Sequence, residues 1–329
     1  MIISQTPLRI SLLGGGTDLK EYYKKRDGFV VSTAIDKYVY IIVKERFDDL
    51  IYVNYSNKER TDSPLKIKHD LVREALLKAG VNKGVEITML ADIPSEGSGL
   101  GSSSSLLVGL LNALYMYQGI QVTAERLAKE ACNIEINKCK KPIGKQDQYI
   151  AAYGGLCSFK FKKTGKVEAK RLNLTESEGR VLGSNMLLFY TGITRQSSEI
   201  LTEQRAKTKN LFTELNLIKS LAEQAVVAIN SKKYDKIGTL LRKNWKYKKM
   251  LSKNISNTFI DEMYSKALKA GTLGGKISGA GGGGFLLLYC KREDQNNIRK
   301  SMKGFREMPF LLEKDGSKII FNYRRYSWK

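Results

Sequence analysis

The chain has 329 residues, 42% of them hydrophobic and 27% charged, a balance that excludes global disorder and leaves room for two domains. Its 56 Lys and Arg outnumber 33 Asp and Glu, for a net charge of +23, which on its own invites a polyanionic partner. The basic residues run along the whole chain, however, and the densest groups (Lys138, Lys140 and Lys141; Lys243, Lys246, Lys248 and Lys249) are short and mixed with other types. A solvated surface is therefore the preferred reading, and no nucleic-acid partner is expected. A single histidine, His69, and four cysteines without C-x-x-C spacing argue against a zinc site and against histidine-based catalysis. Scattered thiols suit a reducing compartment. The start of the chain shows no signal-peptide core, and no apolar run has membrane-spanning length. The expectation is a cytoplasmic protein without a membrane partner.

In chain order, residues 2–13 read as a strand ended by Gly14-Gly15-Gly16, and Thr17-Asp18 as the cap of a helix over 19–25. Residues 29–46 and 51–55, rich in Val, Ile and Tyr, read as strands, and 65–79 as a helix. Alternation of Val85, Ile87 and Met89 marks 84–92 as a strand. It runs into Pro94-Ser95-Glu96-Gly97-Ser98-Gly99-Leu100-Gly101-Ser102-Ser103-Ser104-Ser105. Past this loop, Leu106, Leu107, Leu110, Leu111 and Leu114 recur at helical spacing, so a buried helix opens inside it. Residues 123–138 read as a second amphipathic helix, and Gly144-Lys145-Gln146-Asp147-Gln148-Tyr149 as a helix opening after Pro142. Residues 156–161 and 167–172 read as a hairpin. Polar residues over 173–183 mark a boundary, which gives domains 1–178 and 179–329. Beyond it, 186–190 reads as a strand, 199–230 and 234–252 as long helices, and 266–270 as a helix end. A second glycine-rich element, 274–284, precedes a strand over 285–289. Strands and helices mix without strict alternation, so the fold class is α+β rather than a doubly wound sheet.

The loop at 94–105 carries the chemistry. Gly97, Gly99 and Gly101 let a ligand approach the backbone. A helix opening at the serines points free N–H groups and the positive end of its dipole into the loop, where a phosphate fits. A plain turn with a serine cap is the structural alternative, but four consecutive serines exceed what a cap requires. G-x-x-x-x-G-K-[ST] does not occur, and the glycine spacing departs from the dinucleotide fingerprint. Phosphoryl transfer also needs a magnesium ligand and a group to orient the acceptor hydroxyl. Glu130, Glu135 and Asp147 could supply these, or could be a solvated helix face and a cap; spacing leaves both open.

Three segments together resemble the GHMP kinase superfamily, which contains galactokinases, mevalonate kinases and homoserine kinases. They are Thr6-Pro7-Leu8-Arg9-Ile10-Ser11-Leu12-Leu13-Gly14-Gly15-Gly16-Thr17-Asp18, the loop from Pro94 to Ser105, and Lys276-Ile277-Ser278-Gly279-Ala280-Gly281-Gly282-Gly283-Gly284. Their order and separation fit the family over nearly the whole chain. Galactokinases read A-P-G-R-V-N-L-I-G-E-H-T-D-Y in the first segment, and Gly15-Gly16 here replaces Glu-His, which tells against galactose. The G-G-G-T-D form, the 142–149 segment and Phe189-Tyr190-Thr191-Gly192-Ile193-Thr194-Arg195 look most like the heptose 7-phosphate kinases of that superfamily, with fucokinases next.

The resemblance implies a two-domain GHMP fold, with a ribosomal-protein-like N-terminal domain and a ferredoxin-like C-terminal one. It implies ATP and Mg2+ as cofactors, and a sugar phosphate, D-glycero-D-manno-heptose 7-phosphate, converted to the 1,7-bisphosphate for nucleotide-activated heptose and surface polysaccharide. Asp147 would be the base and Arg9 its cationic partner. Gly97, Gly99, Leu100, Gly101, Ser102, Ser103 and Ser104 would hold the ATP phosphates. Glu135 with Ser102 or Ser103 would bind magnesium, and Glu130 is the fallback. Gly15, Gly16, Thr17, Asp18, Gly281 and Gly282 would face the substrate, with Lys145 or Arg195 anchoring its phosphate. A fucokinase-like sugar kinase is the second reading. A basic nucleic-acid-binding protein that kept the fold is the third, and it predicts steeply salt-dependent binding. A homodimer is one assembly these readings allow.

Overall fold

The computed structural model describes residues 1–93, 97–194 and 197–323. Among these, no helix is long and apolar enough to cross a membrane, and Cys132, Cys139, Cys157 and Cys290 are free thiols.

The first half builds a large sheet from β1 (Ile2–Leu13), α1 (Lys20–Tyr23), β2 (Gly28–Glu45), β3 (Ile51–Asn54), β4 (Lys58–Thr61), α2 (Asp70–Ala79), β5 (Val85–Ala91), α3 (Ser102–Tyr117), α4 (Ala124–Cys132), α5 (Gln146–Tyr153), β6 (Leu156–Phe161) and β7 (Val167–Arg171). β2 is the hub. It pairs antiparallel with β1 along its length, with β6 through its first half and with β5 through its second. From Thr6 to Leu13 β1 is buried on both faces, so its polar Arg9 and Ser11 lie inside the protein among the apolar residues.

The second half holds α6 (Glu176–Ser184), β8 (Met186–Tyr190), α7 (Ser197–Lys207), α8 (Phe212–Asn230), α9 (Asp235–Met250), α10 (Thr258–Lys269), β9 (Gly274–Ile277), β10 (Phe285–Tyr289), α11 (Gln295–Ser301) and β11 (Lys318–Asn322). The expected boundary at 178/179 falls inside α6. β8, β10 and β9 form a second antiparallel sheet in the order β8-β10-β9. A short run at 306–308 hydrogen-bonds to the free edge of β8. Numbered along the chain, the order is 4-1-3-2 with a stunted fourth strand, which bears out the ferredoxin-like expectation. β8 and β10 read as unbroken apolar runs because each face meets a different core. Met186, Leu188, Phe285, Leu287 and Tyr289 join the core under the large sheet. Leu187, Phe189, Leu286 and Leu288 join the one that holds Trp245, Ile260 and Ile298.

Several expected elements differ in detail. Thr17 and Asp18 do not cap α1, whose preceding residue is Leu19 with no side-chain cap; both side chains are used elsewhere, as described below. The helix expected over 65–79 starts at Asp70. Glu59 accepts hydrogen bonds from the Lys68 and His69 N–H groups and holds that stretch outside the helix. The helix expected over 123–138 is α-helical to Cys132 and then widens into a π-helix over Asn133–Lys138. The helix expected over 199–230 is broken at 208–211, where the Thr208 hydroxyl bonds back to the Gln204 carbonyl and Phe212 stacks on Tyr22. β11 was not foreseen. It pairs with the outer edge of β1, so the end of the described chain returns to the first sheet.

Candidate active site

Arg9 lies mid-way along β1 with its side chain turned under the loop 97–101. It is 4% exposed, and its Nε and Nη2 donate to the two carboxylate oxygens of Asp147 at 2.7 and 2.6 Å. Its Nη1 donates to the Gly99 carbonyl at 2.6 Å. This fork-on-fork geometry fixes both partners. Asp147 sits in the first turn of α5, where the helix dipole favours negative charge, and it lines a cleft of about 560 Å³.

The glycine–serine loop forms one wall. Gly101, with φ +81°, is the residue before α3. No side chain caps that helix, so the first-turn N–H groups are free for an anion. Gly97, Gly99, Ser102, Ser103 and Ser104 line the cleft. Leu100 does not. Its side chain is buried in the core, and its carbonyl receives the Arg9 N–H. At Gly99 a Cβ would meet the Ser278 carbonyl oxygen at 2.6 Å, so the two glycine-rich segments pack backbone against backbone.

The π-helical turn aims Glu135 at this wall. The carboxylate is fully buried and accepts from Ser103 Oγ at 2.8 Å, Ser104 Oγ at 2.6 Å and the Gln148 amide. Burial raises its pKa, against the pull of Lys141 and these donors. A buried carboxylate with hydroxyls beside a phosphate-binding loop is a hard-oxygen donor set suited to Mg2+, which takes one or two carboxylates and fills the rest of its shell with phosphate and water. Among the described residues no group of three or more His, Cys, Asp or Glu is placed to hold a metal, so the donors at this wall are one carboxylate and its neighbouring hydroxyls. Ser102 Oγ shares a hydrogen bond with Ser98 instead. Glu130 points away, to Tyr115 and Arg126.

The opposite wall is the turn after β1. Gly15, Gly16 and Asp18 line the cleft. Asp18 accepts from the Gly16 and Gln146 N–H groups at 3.0 and 3.2 Å. Burial, and then the nearby Asp147, raise its pKa. Gly144 is required here, because a Cβ would fall 1.9 Å from Asp18 Oδ2. Thr17 is not at the surface of the cleft; its hydroxyl donates to the Gly14 and Phe29 carbonyls and ties the turn to β2. Lys145 is also elsewhere, with its ammonium on the Gly165 carbonyl and over the Tyr23 ring. Gly281 and Gly283 line the cleft, whereas Gly282 is bonded to the Ile255 carbonyl behind it. Arg195 lies outside the described residues.

Residues 67–155 match the GHMP kinases N terminal domain, and 225–306 match the GHMP kinases C terminal domain. The D-glycero-alpha-D-manno-heptose 7-phosphate kinase of Campylobacter jejuni subsp. jejuni serotype O:2 is 30% identical over 92% of this chain and 93% of its own length. The chain belongs to the GHMP kinase family. As a GHMP kinase it is a phosphotransferase with an alcohol group as acceptor. The bifunctional fucokinase/GDP-fucose pyrophosphorylase of Arabidopsis thaliana is 25% identical over 91% of this chain, which spans 31% of that longer protein. A solved D-glycero-D-manno-heptose 1-phosphate kinase from Bacteriodes thetaiotaomicron shares the fold, with a TM-score of 0.82, 23% identity and coverage of 98% of this chain and 100% of that one. A sugar kinase structure from Campylobacter jejuni gives a TM-score of 0.77 at 26% identity, over 97% of both chains.

Two lysines of this GHMP kinase escaped the sequence reading of the site. Lys248 belongs to a lysine-rich run that reads as solvated charge, yet it is 7% exposed and lines the cleft. The signal was there: Ile237, Leu241, Asn244 and Lys248 fall on the buried stripe of α9. Lys276 opens the third glycine-rich segment, where motif alone gives it no role. It is 2% exposed and donates to the Ser11 and Leu12 carbonyls at 2.6 and 3.3 Å. Burial, and then the Arg9 charge, lower its pKa from 10.5 to about 7.

Proposed function

We propose that this GHMP kinase uses ATP and Mg2+ to phosphorylate the anomeric hydroxyl of D-glycero-D-manno-heptose 7-phosphate, giving the 1,7-bisphosphate. The observation that carries the reading is the bidentate Arg9–Asp147 pair, flanked by the glycine–serine loop on one side and the Gly15, Gly16 and Asp18 turn on the other. Asp147 accepts the hydroxyl proton as the sugar oxygen bonds to the γ-phosphorus. The bond from that phosphorus to the bridging oxygen breaks, and ADP leaves with the electron pair. A positioned base of this kind contributes about 10²–10⁴-fold. Arg9 orients Asp147, and its charge beside Gly99 stabilises the phosphoryl group in flight. The free N–H groups at the start of α3 bind the phosphates. Glu135 with Ser102 or Ser103 would hold magnesium, which supplies neutralisation of charge on the phosphate oxygens. Asp18 and the backbone of Gly15 and Gly16 take sugar hydroxyls.

The name of the Campylobacter relative supports a heptose 7-phosphate. The Bacteriodes protein shares the sugar in its name but not the phosphate position, so the acceptor is tested directly. Purified enzyme is incubated with ATP, Mg2+ and a panel of heptoses and hexoses with and without a terminal phosphate, and the anomeric proton of each product is read by NMR. Turnover confined to the heptose 7-phosphate is the expected result. Equal turnover of the unphosphorylated sugar overturns the acceptor and favours the fucokinase-like alternative. The proposed setting is the cytoplasm, in keeping with four free thiols.

A further inference from the structure

The floor of the cleft contains a cation with no counter-charge. The Lys248 ammonium donates to the Ile277 and Gly279 carbonyls, and no carboxylate pairs with it among the described residues. Two of its three protons are placed, and one remains. One turn earlier on α9, the Asn244 amide oxygen is buried and has no partner. The Ser278 hydroxyl is likewise buried and unpartnered. All three residues are at least nine-tenths buried and line the cleft. A purely structural buried lysine is normally matched by a carboxylate, and buried hydroxyls and amides are normally bonded. Unmatched groups on the wall of a cavity indicate that the ligand matches them.

The charges facing Lys248 define that ligand. Arg9 from β1 and, when protonated, Lys276 from β9 are positive and act on it. The carboxylate of Asp147 on α5 is engaged by Arg9, and Asp18 is held by two backbone N–H groups. On α9 itself, Lys249 faces outward to Asp261. The floor therefore lacks negative charge. We propose that Lys248 and Ser278 form an anion subsite that takes a terminal phosphate dianion during the reaction, with the Asn244 amide oxygen accepting from a hydroxyl of the same ligand. The inference rests on the cleft being the phosphoryl-transfer site. The dianion comes either from the phosphate the sugar already carries or from the γ-phosphate of ATP. Lys145, one of the two anchors expected on the acceptor side, does not reach the cleft, whereas Lys248 lines it.

Burial and the two neighbouring cations lower the Lys248 pKa well below its ordinary value, so an arriving dianion draws a proton onto it. Wild-type enzyme is titrated calorimetrically near pH 8, about two units above the second phosphate pKa, in two buffers of different ionisation enthalpy. The probes are heptose 7-phosphate, the free heptose, and a non-hydrolysable ATP analogue with Mg2+. We expect uptake of about one proton with either the sugar phosphate or the nucleotide, which identifies the source, and none with the free sugar. Lys248→Met fills the same space without charge. It is expected to abolish the uptake and to weaken that one probe by about tenfold or more, with the other probe nearly unaffected.

No proton uptake by wild type with either phosphate-bearing probe overturns the inference, even if the variant fails to fold. Unchanged affinities in a folded Lys248→Met overturn it too. Turnover by wild type is measured separately. A kinase that phosphorylates the sugar while Lys248→Met binds everything normally keeps the proposed function and loses this subsite.

Discussion

Replacing Asp147 by Asn tests the catalytic pair most directly. The change preserves shape, removes the base and turns an amide N–H2 towards one of the two Arg9 donors that now bond at 2.6 and 2.7 Å. Loss of a positioned base lowers kcat by about 10²–10⁴-fold, or about 2.7–5.4 kcal/mol at 1.36 kcal/mol per factor of ten. The stability cost is separate. Stranding one partner of a buried pair costs about 3–5 kcal/mol. The Asp147 side chain is 24% exposed, and water reaching it should reduce the loss to roughly 1–3 kcal/mol. The expected outcome is a kcat collapse in a coupled ADP-release assay, a modest drop in urea stability, and binding of a non-hydrolysable ATP analogue within about threefold of wild type. Activity within a factor of ten of wild type would remove Asp147 from the chemistry. Equal losses in ATP affinity and kcat would make it a binding residue instead. Arg9→Met combined with Asp147→Asn should be far from additive, because the two side chains act as one unit.

Gly144→Ala pushes a methyl group onto Asp18. It should raise the sugar KM by about tenfold or more while sparing the ATP KM, and a change in ATP KM alone would contradict the assignment of that wall to the acceptor. Glu135→Gln should raise the half-saturating Mg2+ concentration by about tenfold or more, and an unchanged Mg2+ titration would exclude it as a ligand. Lys276 predicts a pH signature. Its folded pKa of about 7 lies below the 10.5 of the unfolded chain, so between these values the unfolded state binds the extra proton. Stability from this group rises with pH there, by up to about 1.4 kcal/mol per unit, and is flat below the window. Tyr22 and Tyr23, raised to about 12 by burial, reverse the trend above about pH 10. Urea unfolding of wild type and Lys276→Met over that range is the test. An identical slope in the two proteins would mean that Lys276 stays charged when folded.

Much of the fold and of the site was legible in the chain because local rules govern those parts. The run before Gly14, the alternation over 84–92 and the leucine spacing after the glycine–serine loop report burial with a fixed period, and β1, β5 and α3 follow. Gly99 and Gly144 stand where no side chain fits. Arg9, Glu135 and Asp147 are charged residues of the kind phosphoryl transfer uses, and all three line one cleft. What the sequence by itself determined is therefore the strongly periodic elements, the family and the polar groups available to the reaction. Tertiary structure decided which of those groups face one another. Thr17 has a cap's chemistry, but β2 lies within reach and takes its hydroxyl. Lys145 lies two residues before Asp147 in sequence, yet a helical step of about 100° per residue turns such near neighbours to different sides, and its ammonium ends on Gly165. Lys248 looks like its solvated neighbours until β9 packs over α9 and removes its water. β11 has a partner only because the chain returns to β1 after more than 300 residues. Periodicity states that a face is buried; what it is buried against depends on pairings between distant segments, which leave no local trace.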